Sequence, residues 1–196
     1  MRYLIFIFLF TASQIVTAQS YKKILIPDKV SINYPDHSVT AYVGPVGQDV
    51  SPDPGKYYYW YSANQIKTTQ GGFSGKLLNG IYTDFYLNKN LKEQGEFQKG
   101  LKTGEWKLWT ESGQLKELTG WDAGIKSGKY YKYSQDGKVA ESGSYKNGQL
   151  HGKQLVYDNA GKTQVTYYKE GKAYTPKKHL SKPGFLTKLF KSKKKK

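Results

Sequence analysis

Three glutamates stand 24 residues apart: Glu93, Glu117 and Glu141. Carboxylates at a fixed interval suggest two chemistries, a ladder for cations or the paired acid and base of a glycosidase. A glycosidase pair needs two unlike environments, one that keeps its carboxyl protonated and one that leaves it ionised. A strict repeat should supply copies of a single environment, which counts against catalysis. The plainer role is structural, each glutamate accepting hydrogen bonds from nearby backbone or pairing with a lysine. Rings recur at the same interval. Trp106, Trp109, Trp121, Tyr130, Tyr133 and Tyr145 form a candidate aromatic face for a sugar, a lipid or a peptide.

Other reactive groups are scarce. The chain has no cysteine, which excludes disulfides, thiolate metal sites and a cysteine nucleophile. Its three histidines, His37, His151 and His179, are scattered and lack the spacing of metal ligands, so no metal site is expected. There is no Gly-x-Ser-x-Gly elbow and no phosphate-binding loop ending in Gly-Lys-Ser/Thr. The sequence therefore predicts a protein without catalytic residues and without a cofactor.

The elements that carry the glutamates follow from the repeat. Gly80, Gly104, Gly128 and Gly152 open successive copies. Tyr82, Trp106 and Tyr130 follow two residues later, and Phe85, Trp109, Tyr133 and Tyr157 five residues later. Leu91, Leu115 and Val139 precede the glutamates, and Phe97, Trp121 and Tyr145 follow them. Many matched offsets at one period mark a repeat architecture. Each copy parses as two strands around a turn such as Gln135-Asp136-Gly137-Lys138. Within the second strand, Leu115, Glu117, Thr119 and Trp121 share parity and so share a face. A loop such as Lys146–Gly152 is expected to lead into the next copy. Frequent glycines exclude helices of this length. The expected fold is an all-β, open, elongated array of antiparallel hairpins, about ten strands wide. A single sheet has no second layer, so its rings must cover one another.

The ends differ from the array. Residues 1–18 read as a signal peptide: Arg2, an apolar run from Tyr3 to Phe10, and Val16-Thr17-Ala18 before the cut. The apolar run is too short to span a membrane. Residues 19–54 read as an irregular lead-in or cap, broken by five prolines, with two short apolar stretches, Ile24–Ile26 and Val39–Val43, as candidate strands. Residues 55–172 hold the copies, the first of them degenerate. Residues 173–196 hold nine lysines and no acid, although the whole chain carries +16. There Phe185, Leu186, Leu189 and Phe190 recur at the spacing of a short helical face, flanked by Lys188, Lys191, Lys193, Lys194, Lys195 and Lys196. An apolar wedge with a cationic brush suits an anionic membrane surface. A solvated tail, or one that docks on the open end of the array, suits the same residues. Nucleic acid as the partner is disfavoured by export.

The stretches Tyr145–Lys153, "YKNGQLHGK", and Phe97–Trp106, "FQKGLKTGEW", resemble the MORN repeat, whose core is Tyr/Phe-x-x-Gly-x-x-x-Gly-x-Trp/Tyr. The added half with Asp-Gly-Lys and Glu-x-Gly is similar to the bacterial MORN-variant family, some members of which carry an antitoxin label. The resemblance covers residues 55–172 and implies an open row of hairpins. The expected function is an exported, non-catalytic binding or scaffold module in the periplasm or outside the cell. Its partner would be an unidentified protein or envelope component, with the tail attached to an anionic membrane surface. The resemblance also implies an alternative, an antitoxin-like protein-binding role. An envelope polysaccharide-processing enzyme is the remote alternative.

Overall fold

Turns ending in glycine set the frame. The fold is a computed structural model that describes residues 27–44, 50–158 and 160–176. The expected signal peptide, the candidate strand at Ile24–Ile26 and all ten tail residues named above lie outside the described residues. Fourteen strands form one open antiparallel sheet, with no helix among the described residues. The array expected from the sequence is thus the observed architecture. Their ranges are β1 Asp28–Asn33, β2 His37–Val43, β3 Tyr57–Ser62, β4 Gln65–Gln70, β5 Lys76–Tyr86, β6 Leu91–Gln98 and β7 Leu101–Trp109. The chain continues as β8 Leu115–Asp122, β9 Ile125–Tyr133, β10 Val139–Lys146, β11 Gln149–Leu150, β12 Gly152–Tyr157, β13 Thr163–Lys169 and β14 Lys172–Tyr174.

The segment between copies is a two-residue turn rather than a loop. Asn147 and Gly148 have φ of 51° and 78°, the pair of left-handed residues that a tight hairpin turn requires. Lys99-Gly100, Ala123-Gly124 and Glu170-Gly171 repeat it. Each of these turn glycines also donates its N–H to an earlier hairpin, as in Gly124 to the Lys102 carbonyl and Gly148 to the Lys126 carbonyl. Adjacent hairpins are tied together along that edge.

The glycine that opens a copy has a different task. Gln94 pairs with Lys107 but Glu96 pairs with Thr103, so β7 carries two extra residues at Gly104, whose φ is 66°. The same shift recurs at Gly128, where Thr119 pairs with Tyr130 but Trp121 pairs with Lys126. These bulges free the following ring to lie down on its neighbour. A Cβ at Gly95 would sit 2.3 Å from the Trp106 indole, and one at Gly143 would sit 2.7 Å from the Tyr130 ring. Thr119 lies between the two rings and opposite both, so each leans away from it onto a glycine. Trp106 and Tyr130 are each 1% exposed.

The lead-in and the first copy depart from a plain row. Asp28–Val43 is a regular hairpin in the main sheet, with β2 paired to β5. The first copy, β3–β4, leaves the row and pairs with β5 only at Trp60↔Leu77 and Tyr61↔Lys76. The bend in β5 allows this, because its register against β2 shifts between Tyr82 and Leu78. The displaced hairpin lies over the core of Val39, Ala41, Val43, Leu78, Phe97 and Trp106. It contributes Tyr59, Tyr61 and Ile66 there, with Tyr59 and Phe97 centroids 4.8 Å apart. Its opposite side buries Tyr58 and Trp60 against Leu77. The array therefore has a partial second layer, which a row of equivalent hairpins would lack.

Gly95→Ala should force the Trp106 indole off the backbone and destabilise the fold by on the order of 1–3 kcal/mol. Gly72→Ala, where a Cβ meets nothing within 4 Å, should be close to neutral in the same denaturation measurement.

Candidate functional site

The repeated glutamates lie in one row across the sheet. Val39, Asp84, Glu93, Leu108, Glu117, Lys132, Glu141 and Val156 stand side by side, each opposite the next. The row alternates two positions of the repeat. One is always glutamate. The other stands four residues after the opening glycine and is Asp84, Leu108, Lys132 or Val156. A glutamate's surroundings depend on this variable neighbour, so the repeat does not supply copies of one environment.

Glu93 Oε1 accepts a hydrogen bond from Lys102 Nζ at 2.7 Å. That ammonium lies 3.7 Å from the Trp106 ring centroid, 5.4 Å from that of Trp121 and 5.7 Å from that of Tyr59. Three rings and a carboxylate thus surround one cation, an arrangement that favours a desolvated lysine. Tyr59 comes from β3, so Lys102 also links the displaced hairpin to the sheet. Glu117 Oε1 accepts from the Thr119 hydroxyl at 2.6 Å. Glu141 has the fullest set. Its Oε1 accepts from the Tyr130 hydroxyl at 2.7 Å and from Gln154 Nε2 at 2.9 Å, and its Oε2 accepts from Lys132 Nζ at 2.9 Å. Burial alone would raise the Glu141 carboxyl, but these three donors outweigh it and hold the group below its ordinary value. The Tyr130 hydroxyl shifts upward through burial and its bond to Glu141.

Asp84 is the unsatisfied member. It is 5% exposed and lies directly opposite Glu93. Its Oδ2 is 3.4 Å from Lys92 Nζ, and its Oδ1 has no hydrogen-bond partner. Burial raises its carboxyl above the ordinary value, partly offset by Lys92 and His37 and reinforced by Glu93. A buried carboxylate with one free oxygen facing a second acid favours the protonated form.

The six candidate aromatics do not form one exposed face. Trp106, Trp121, Tyr130 and Tyr145 share the side that bears the glutamates, but the rings of Trp106 and Tyr130 are sealed. Strand alternation places Trp109 and Tyr133 on the opposite side, three residues beyond Trp106 and Tyr130. Trp121 and Tyr145 remain partly exposed, with Lys126 Nζ 5.7 Å and 5.2 Å from their ring centroids. The His151 N–H donates to the Ser144 carbonyl beside the bulge at Gly152. Among the described residues, no three His, Asp or Glu side chains are grouped to hold a metal ion. Sequence reasoning missed Asp84, Lys102, Lys132 and Gln154. The signal for Asp84, Lys132 and Gln154 was that the copies disagree at those positions; Lys102 recurs as Lys126 and gave no such signal.

Searches against protein-family models and curated proteins find no match.

The two shifted carboxyls imply opposite pH slopes. Asp84, raised, contributes stability that is present at low pH and lost as pH rises through its folded value. Glu141, lowered, contributes stability that is present above the ordinary carboxylate range and lost as pH falls. Asp84→Asn should therefore raise Tm at neutral pH by about 2–4 °C per kcal/mol gained, and the gain should vanish well below about pH 4. Glu141→Gln should lower Tm at neutral pH and flatten the loss on acidification. Thermal melts across pH check both signs.

Proposed function

We propose that the protein is an exported, non-catalytic binding or scaffold module, with its lysine-rich tail engaging an anionic membrane or envelope surface. One observation carries the non-catalytic part. Each repeated glutamate accepts hydrogen bonds from within the sheet: Glu93 from Lys102, Glu117 from Thr119, and Glu141 from Tyr130, Lys132 and Gln154. Such residues act as structural fasteners, Glu93 and Glu141 across strands and Glu117 within β8, leaving the outer surfaces and the ends of the sheet to meet a partner. The likeness to MORN-variant arrays fits the same reading. Export and membrane attachment rest on the composition of residues 1–18 and 177–196.

The test is capture from envelope extract with the full mature chain as bait. A specific envelope component should be retained, and it should still be retained by Glu117→Gln if the glutamates are fasteners. Release of a reaction product from envelope polysaccharide, lost in Glu117→Gln with the fold intact, would reverse the reading. For the tail, the full-length chain should pellet with anionic liposomes and a chain ending at residue 176 should not. Equal pelleting would remove the tail from this role.

A further inference from the structure

The last strand of the sheet stops short for a local reason. The two-residue turn at Glu170-Gly171 places hydrogen-bonded pairs at Lys169↔Lys172 and Tyr167↔Tyr174. Continued in the same register, the next such pair would join Val165 to Pro176. Proline has no N–H to donate, and β14 ends at Tyr174. Thr163 and Val165 therefore direct N–H and C=O groups away from β12, and no described residue pairs with them there. Among mostly polar side chains, two apolar ones stand open beside this edge: Val165 is 44% exposed and Tyr174, on β14, is 47% exposed.

The edge is also strongly basic. Lys153, Lys162, Lys169 and Lys172 are all exposed, and none makes an ion pair among the described residues. The only acids from residue 150 onward are Asp158 and Glu170, while residues 177–196 add nine lysines.

We propose that the free edge of β13 at Thr163–Thr166 binds an acidic, extended peptide segment of a partner protein as an added strand. Only another backbone offers alternating N–H and C=O groups at strand spacing, which a sugar or a lipid does not. The lysines select acidic side chains on that segment, and Val165 and Tyr174 select apolar ones between them. Like charge disfavours two copies of this chain meeting at the same edge. The inference deepens the binding role proposed above by naming its surface and its ligand.

The test uses the full mature chain and a short synthetic peptide of alternating glutamate and valine. Binding followed by fluorescence anisotropy should be saturable. A peptide of the same sequence with alternate amides N-methylated should bind at least about tenfold more weakly, because it keeps the charge and loses the ladder. Val165→Pro, which removes an outward N–H from an edge strand where proline is tolerated, should weaken the unmodified peptide to a similar extent. An alternating lysine and valine peptide should not bind. Equal binding of the methylated peptide would overturn the proposal in favour of attraction to the lysines alone, and so would absence of binding by the glutamate and valine peptide. If Val165→Pro captures an envelope component as well as the unchanged chain does, the binding role stands and this surface is not its site.

Discussion

A ring laid flat on a glycine is the contact on which the rest of the array depends. An open sheet exposes both faces, and its strands bury little unless something covers them. Here the cover comes from within: Trp106 lies on Gly95 and Tyr130 lies on Gly143, each 1% exposed. Phe97 then packs against Trp106 edge to face, with centroids 4.9 Å apart, and Tyr145 meets Tyr130 at the same separation. The bulge at each opening glycine gives the ring the slack to lie down. Thr119 keeps the two halves apart, since its side chain stands where a third glycine would have let both rings converge.

Polar groups follow the rings. The glutamates lie in the row beside them, where partial burial makes an unpaired carboxylate costly. The sheet answers differently at each position: a caged lysine for Glu93, a hydroxyl for Glu117, and three donors for Glu141. Asp84 lacks such an answer, because the cross-strand position beside it is another acid, Glu93, and the core closes over it. Nearly identical hairpins thus carry dissimilar electrostatics. The cause is that partners occupy positions where the copies vary: Thr119, on the same strand as Glu117, replaces Gly95 and Gly143, and Lys132 and Gln154, across from Glu141, replace Leu108 and an aromatic residue.

The two ends of the sheet differ. At the amino-terminal end β1 is the outermost strand, paired with β2 alone among the described residues, while β3–β4 folds over the core and Tyr59 joins the cage around Lys102. At the carboxyl-terminal end, Pro176 prevents β14 from covering all of β13, and the uncovered part is ringed by lysines. Charge on an exposed edge guards against indiscriminate strand pairing.

Periodicity was legible because strand pairing is local. The spacing of Gly80, Gly104, Gly128 and Gly152 with their rings and glutamates determined the hairpins, the shared face of Glu117 and Trp121, and the open array. Three features were decided only by tertiary structure. The first copy leaves the row because the bend in β5 lets the β1–β2 hairpin take its place, a competition between segments far apart in the chain. Trp106 and Trp109 face opposite sides because they stand three positions apart on one strand, whereas matching offsets alone group them together. The separate fates of the three glutamates required the register, which sets Lys132 beside both Glu117 and Glu141 and leaves Asp84 facing Glu93. Sequence period determines which residues recur, but a side chain's electrostatics belongs to the strand next to it, and only the folded sheet says which residue stands there.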